Sequence, residues 1–137
     1  MSSAVHSAAR TVVVGLGKSG LSIVRHLRAQ GVSVAVTDTR LQPPALAQLR
    51  ALAPEIQVSI GGLDESLLSG ANAIVVSPGV APSGAFFERA RAQGLALIGD
   101  VELFARAARA DIVGITGTNG KSTVTTLVGR MAQRAGR

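Results

Sequence analysis

Residues 11–20 join an unbroken β-branched run, Thr11 to Val14, directly to the glycine pattern Gly15-Leu16-Gly17-Lys18-Ser19-Gly20. A strand with no polar alternation is buried on both faces, as in a parallel sheet. The turn is followed by a helix predicted from about Ser19 to Gln30, with Leu21, Val24 and Leu27 on one face. Strand, G-x-G-x-x-G and helix in this order form the start of a βαβ unit that binds an anion at the helix N-terminus. The first glycine allows the tight turn, the second lets a diphosphate approach the backbone, and the third lets helix and strand pack closely. The alternative is that all three glycines serve packing alone.

The pattern continues as alternating strands and helices. Val32–Thr37 reads as a second buried strand ending at Asp38, 18 residues beyond Gly20 (38 − 20). That is where a dinucleotide-binding fold places its ribose acid, so these residues taken alone point to NAD. Pro43–Ala53 is expected as a helix entered through proline, Ile56–Ile60 as a strand, Gly61-Gly62 as a turn and Asp64–Leu68 as a short helix, with no chemistry evident in any of them. Asn72–Val76 is a fourth strand. The loop after it, Ser77-Pro78-Gly79-Val80-Ala81-Pro82, lies at a strand's carboxyl end and so borders the ligand crevice. Gly84–Gln93, Leu95–Ile98 and Asp100–Ala108 complete the set as helix, strand and helix. Asp100 and Glu102 stand two apart on a helix and do not face each other, so they complement the helix dipole rather than form a catalytic pair. The expected fold is α/β: a Rossmann-like, mainly parallel five-stranded sheet with helices on both faces.

A second glycine loop follows a linker at Arg106–Asp111. Ile112–Thr116 is expected as a strand leading into Gly117-Thr118-Asn119-Gly120-Lys121-Ser122-Thr123 and a helix from Ser122 to about Ala135. Glycines that let backbone amides converge, a lysine, and hydroxyls at a helix start are the parts of a nucleoside-triphosphate loop. The standard G-x-x-x-x-G-K-[ST] pattern would place its first glycine at Ile115, so this loop is a variant; a simple Gly/Asn turn capping a helix is the alternative. The last helix carries Leu127, Val128 and Met131 with little to pack on. The expected organisation is a leader over 1–10, a first domain over 11–108 and the incomplete start of a second domain over 109–137.

Charge narrows the partners little. There are 14 Lys and Arg against 8 Asp and Glu, a net +6, but the arginines are scattered through Ala-rich helices and no aromatic residues interleave them, which argues against a nucleic-acid groove. The chain has no cysteine, which excludes a disulfide scaffold or thiolate metal site. No apolar run reaches the roughly 20 residues of a membrane span, and nothing near Met1 reads as a signal peptide. A cytoplasmic location, with no nucleic acid and no membrane as partner, is the expectation.

The segments G-L-G-K-S-G-L-S, T-D-T-R, S-P-G, G-D-V-E-L-F and I-T-G-T-N-G-K-S-T-V occur in an order that resembles the Mur ligase family, the ATP-dependent amino-acid ligases of peptidoglycan precursor synthesis. Together they span almost the whole chain. Asn119 stands where the L-alanine-adding members usually have His, so the D-glutamate-adding branch is the closer match. The resemblance implies that UDP-N-acetylmuramoyl-L-alanine and D-glutamate are joined with ATP and Mg²⁺ through an acyl phosphate by a monomeric enzyme. It implies that Gly117, Thr118, Asn119 and Gly120 cradle the ATP phosphates. Lys121 is then the catalytic residue that holds the β/γ-phosphates, and Ser122 or Thr123 ligates the metal. The UDP end of the substrate is assigned to Gly17, Lys18, Ser19 and Gly20, to Asp38, Thr39 and Arg40, and to Ser77, Pro78 and Gly79. Asp38 is expected to recognise uracil or its ribose rather than support the fold. The family's central-domain acid and histidine, its modified lysine and its D-glutamate domain have no counterpart in this sequence, so this chain alone is expected to bind substrate without catalysis. A stand-alone nucleotide-sugar-binding module and an NAD-binding domain are the alternatives.

Overall fold

The computed structural model describes residues 10–137; the expected leader and His6 fall outside the described residues, except Arg10, which belongs to the first strand. The chain forms two compact units that meet between Ala107 and Ala108.

The first unit runs β1 (Arg10–Val14), α1 (Lys18–Ala29), β2 (Ser33–Asp38), α2 (Leu46–Leu52), β3 (Gln57–Ile60), a 3₁₀ turn (Glu65–Leu68), β4 (Ala71–Val76), α3 (Ala85–Ala92), β5 (Ala96–Gly99) and α4 (Asp100–Ala107). The five strands form one sheet in the order β3-β2-β1-β4-β5, with every pairing parallel. β1 is central, and Val12, Val13 and Val14 are all fully buried, as its β-branched run requires. Burial of each such side chain stabilises the fold by about 1.5–3 kcal/mol relative to exposure.

The period of two along each strand builds two apolar layers. Val13 is in register with Val36 and Val75, and Val75 with Ile98; these four pack beneath Leu21, Val24 and Leu27 of α1 and Leu49 of α2, with Leu103 of α4 alongside. On the other face Val12, Val14, Ala35 and Ile74 pack against Leu67 and Leu68 of the 3₁₀ turn and Phe86, Phe87 and Ala90 of α3. The Phe86 and Phe87 rings meet edge to face at 5.2 Å. Helices cover both faces of the sheet, as the sequence pattern predicts.

Two expected elements differ. α2 begins at Leu46 rather than Pro43, because the Pro43 carbonyl closes a turn on the Leu46 amide (3.1 Å) and the Ala45 amide donates to the Leu16 carbonyl (3.3 Å). In the second unit, 112–116 forms no strand. A strand needs a neighbour to share its backbone hydrogen bonds, and here Ile112 and Val113 are exposed. The rest of that unit is the glycine loop and α5 (Lys121–Arg134), whose apolar residues Val124, Leu127 and Met131 are also exposed.

Candidate functional site

In a sheet of order 3-2-1-4-5 the chain moves outward in one direction from β1 to β3 and in the other from β4 to β5. The crevice at that reversal, outside the carboxyl ends of the strands, is where open α/β sheets hold ligands. A cleft of about 430 Å³ opens there, lined by the glycine loop after β1, by Asp38, Thr39 and Arg40 after β2, by Leu63 after β3, and by Ser77 to Val80 after β4. It brings together all ten residues that the sequence assigns to the UDP end of a substrate.

Gly15 and Gly20 meet the steric demands that their spacing predicts. Gly15 has φ +93°, and a methyl group there would press on Val80 and Ser77. A methyl group on Gly20 would collide with the Gly15 carbonyl, so α1 can approach β1 only with glycine at this position. Around Gly17 there is open space. It is the residue immediately before α1, with no side-chain cap, so the first amides of the helix point unpartnered toward the cleft end of its dipole. Lys18 and Ser19, both exposed, occupy the first turn. Backbone amides and one positive charge are thus gathered at one helix end, an arrangement with the chemistry to bind an anion.

Ser77 closes the loop from the far side: its amide donates to the Val14 carbonyl (2.9 Å) and its Oγ to the Gly15 carbonyl (2.8 Å). The Ser77 hydroxyl proton is therefore committed to holding the first glycine, while Pro78 and Gly79 remain exposed.

Asp38 is engaged by its own chain through its carboxylate. Its side chain is 2% exposed, and both carboxylate oxygens are taken by the protein. Oδ2 accepts from the Leu16 amide (2.6 Å) and from Arg40 Nη2 (2.6 Å), and Oδ1 from the Arg40 amide (2.8 Å) and Arg40 Nε (2.9 Å). Burial alone would raise its pKa, but the Arg40 guanidinium and the two amides outweigh it and lower the carboxyl to about 2. Asp38 thus supports the fold by joining the ends of β1 and β2, and it holds Arg40, half of whose side chain is exposed at the cleft.

Leu63 and Val80 are cleft residues to which the sequence analysis assigns no role. Both sit in irregular segments with no periodic pattern, and only the fold carries them to the crevice. Among the described residues no group of three His, Cys, Asp or Glu side chains could hold a metal ion, and no helix is long and apolar enough to cross a membrane.

In the second unit Gly120 adopts the left-handed conformation (φ +75°) and ends the glycine loop at the start of α5. Lys121 opens that helix and folds back, its Nζ donating to the Gly117 carbonyl at 2.5 Å. Ser122 and Thr123 are exposed in the same first turn. Lysine, glycines and hydroxyls are thus gathered at one helix end.

The first unit coincides with a known family. Residues 9–99 match the Mur ligase MurD-like N-terminal domain. The chain belongs to the MurD-like Mur ligases. The family membership expected from the motifs is borne out. MurD-like relatives include the UDP-N-acetylmuramoylalanine--D-glutamate ligase of Marinobacter nauticus, 53% identical over 135 residues, which cover 98% of this chain and 30% of that protein. The ligase of the same name from Pseudomonas syringae pv. syringae is 55% identical over 126 residues, 92% of this chain and 28% of its own length. The chain therefore spans about 30% of the length of these curated relatives. Among solved structures, a pseudomurein peptide ligase type C from Methanothermus fervidus resembles it with a TM-score of 0.61 and 27% identity, over 93% of this chain and 26% of that one. The MurD-like match ends at Gly99, so the glycine loop at 117–120 lies outside it.

Proposed function

We propose that this chain is the N-terminal part of a cytoplasmic ATP-dependent ligase that adds D-glutamate to UDP-N-acetylmuramoyl-L-alanine in peptidoglycan synthesis, and that its first unit holds the UDP end of that substrate. The observation that carries the proposal is the cleft at the carboxyl ends of β1, β2 and β4, where the open backbone at Gly17 meets Lys18, Ser19 and the exposed part of Arg40. Each of these suits an anionic nucleotide. The diphosphate lies on the α1 N-terminus, with Lys18 neutralising part of its charge. The nucleoside lies toward β2, where Thr39 and Arg40 face it. Asp38 acts through Arg40 and the Leu16 amide.

The names of the relatives support the substrate and the reaction. Gly117 to Gly120, with Lys121 and the hydroxyls of Ser122 and Thr123, fit the phosphates of ATP and one ligand position of Mg²⁺. The unpartnered α5 amides and a lysine already lying over its loop make that end of the helix suited to an anion. When bound, ATP with its metal supplies the phosphoryl group that activates the substrate carboxylate. Domain 11–108 is assigned to the UDP-substrate and 109–137 to the start of the ATP-binding domain.

An NAD-binding role requires a free acid after β2 to accept the ribose hydroxyls. The Asp38 carboxylate already accepts four donors from its own chain, which disfavours that alternative. Calorimetry of the 137-residue chain with UDP-N-acetylmuramoyl-L-alanine and with NADH separates the two. Saturable heat with the UDP-sugar and none with NADH is expected; NADH binding without a UDP response would overturn the proposal.

A further inference from the structure

The hydrogen bonding of β1 to its two neighbours runs one peptide unit past the strand, and side chains complete it. At the last main-chain step the Ser77 amide donates to the Val14 carbonyl (2.9 Å) from the β4 side, and the Gly15 amide donates to the Thr37 carbonyl (2.9 Å) on the β2 side. At the next unit, the Gly15–Leu16 peptide, the ends of the same two strands supply side chains instead. Ser77 Oγ donates to the Gly15 carbonyl (2.8 Å), and the Leu16 amide donates to Asp38 Oδ2 (2.6 Å). Two successive peptides therefore send their carbonyl toward β4 and their amide toward β2, a repeat that the positive φ of Gly15 permits.

Both partners of this peptide are buried: Ser77 is 6% exposed and Asp38 2%. A planar peptide held at its oxygen from one side and at its hydrogen from the other cannot rotate without breaking a bond. The chain then reaches Gly17, where α1 begins with no side-chain cap on its first amides. The Gly15 carbonyl oxygen lies against this first turn, since a methyl group on Gly20 would collide with it. A buried carbonyl deprived of its donor is costly and takes another where one is near. Here the uncapped amides of α1 are near, so a Gly15 carbonyl released by Ser77 competes with any anion for the same donors.

We infer that Ser77 and Asp38 are paired positioning residues that grip the Gly15–Leu16 peptide from its two sides and so keep the first amides of α1 free for the ligand's diphosphate. The inference rests on the proposed UDP site, and it gives the Ser77 hydroxyl a role in binding that needs no contact with the ligand. A hydroxyl that served only the fold would lower the melting temperature when removed, but it would change neither anion affinity nor the Leu16 amide, which Ser77 does not touch.

The test is calorimetric titration of the 137-residue chain and its variants with UDP, paired with amide proton exchange at Leu16 followed by NMR. In Ser77→Ala the UDP affinity should fall by roughly five- to tenfold, the net worth of one hydrogen bond, and the Leu16 amide should exchange faster. Ser77→Thr, which keeps the hydroxyl, should retain both values. Asp38→Asn added to Ser77→Ala should cost less affinity than it does alone, because both changes release one peptide. Should Ser77→Ala not fold, Asp38→Asn decides with inorganic pyrophosphate as the probe, which has no nucleoside for Arg40 to face: weaker binding than wild type is expected, and unchanged binding overturns the inference. If wild type binds UDP and a folded Ser77→Ala binds it as tightly, the paired grip is disproved while the UDP site stands. If wild type binds neither UDP nor pyrophosphate, the UDP site itself is disproved and the grip's role with it.

Discussion

The Asp38 carboxylate accepts the Leu16 amide at 2.6 Å, binding the last residue of β2 to the middle of the glycine loop after β1. Removing the carboxylate leaves that amide buried without a partner and frees Arg40 from its anchor. Asp38→Ala should therefore cost about 2–4 kcal/mol of stability, the range for breaking a buried, charge-assisted set of bonds. Urea unfolding of the variant should show a lower midpoint. An unchanged midpoint would return Asp38 to a purely ligand-binding role.

The same carboxylate predicts a pH dependence. Its folded pKa is lowered to about 2 from an ordinary 3.8, so the native state binds the proton less readily than the unfolded chain. The stabilisation is fully present above about pH 5 and is lost as pH falls through 3.8 toward 2. Because Arg40 is half exposed and screened by solvent, its worth is on the order of 1–2 kcal/mol. Asp38→Asn should remove this part of the acid sensitivity. A wild-type stability curve between pH 5 and 2 no steeper than the variant's would contradict the assignment.

Gly17 and Gly20 should respond oppositely to the same added methyl group. At Gly20 it meets the Gly15 carbonyl, and overpacking against backbone costs roughly 1–3 kcal/mol or more. At Gly17 it meets open space and a backbone conformation (φ −98°) that any residue adopts, so Gly17→Ala should melt close to wild type. The Gly17 methyl group would instead occupy the approach of the diphosphate and weaken UDP binding. Thermal melts and UDP titrations of both variants check this; Gly17→Ala with full affinity would remove that residue from the site.

How much of this was legible in the sequence follows from the range of the interactions. The central strand could be read because a strand covered on both faces must be apolar throughout, as Thr11 to Val14 nearly are, and the glycine loop because Gly15 and Gly20 each meet a local steric demand. Asp38 was noticed, but its partners within the fold were not. Its spacing from Gly20 is a local signal, whereas the partner that claims it, the Leu16 amide, is 22 residues away in sequence and is brought near only by β1–β2 pairing. Leu63 was missed for the same reason, since the Thr37 hydroxyl that bonds the Gly62 carbonyl and the Asp64 amide on its two flanks belongs to β2. The expected strand at 112–116 failed differently: its residues have strand character, but among the described residues no strand pairs with them to complete the hydrogen bonds.

That last difference bears on the second glycine loop. Lys121 and the first amides of α5 have the chemistry for triphosphate binding, but phosphoryl transfer needs such groups held fixed around the γ-phosphate. Here the preceding segment has no ladder to hold it, and Val124, Leu127 and Met131 of α5 are exposed. The 137-residue chain is therefore expected to bind UDP-N-acetylmuramoyl-L-alanine while binding ATP weakly or not at all, and to release no phosphate at an enzyme's rate. Calorimetry with each ligand, together with a phosphate-release assay with and without D-glutamate, measures both. Lys121→Ala should leave UDP-substrate affinity unchanged, because its helix lies outside the first unit. Substrate-dependent phosphate release by the 137-residue chain that disappears in Lys121→Ala would show instead that the loop is ordered enough to act without further structure.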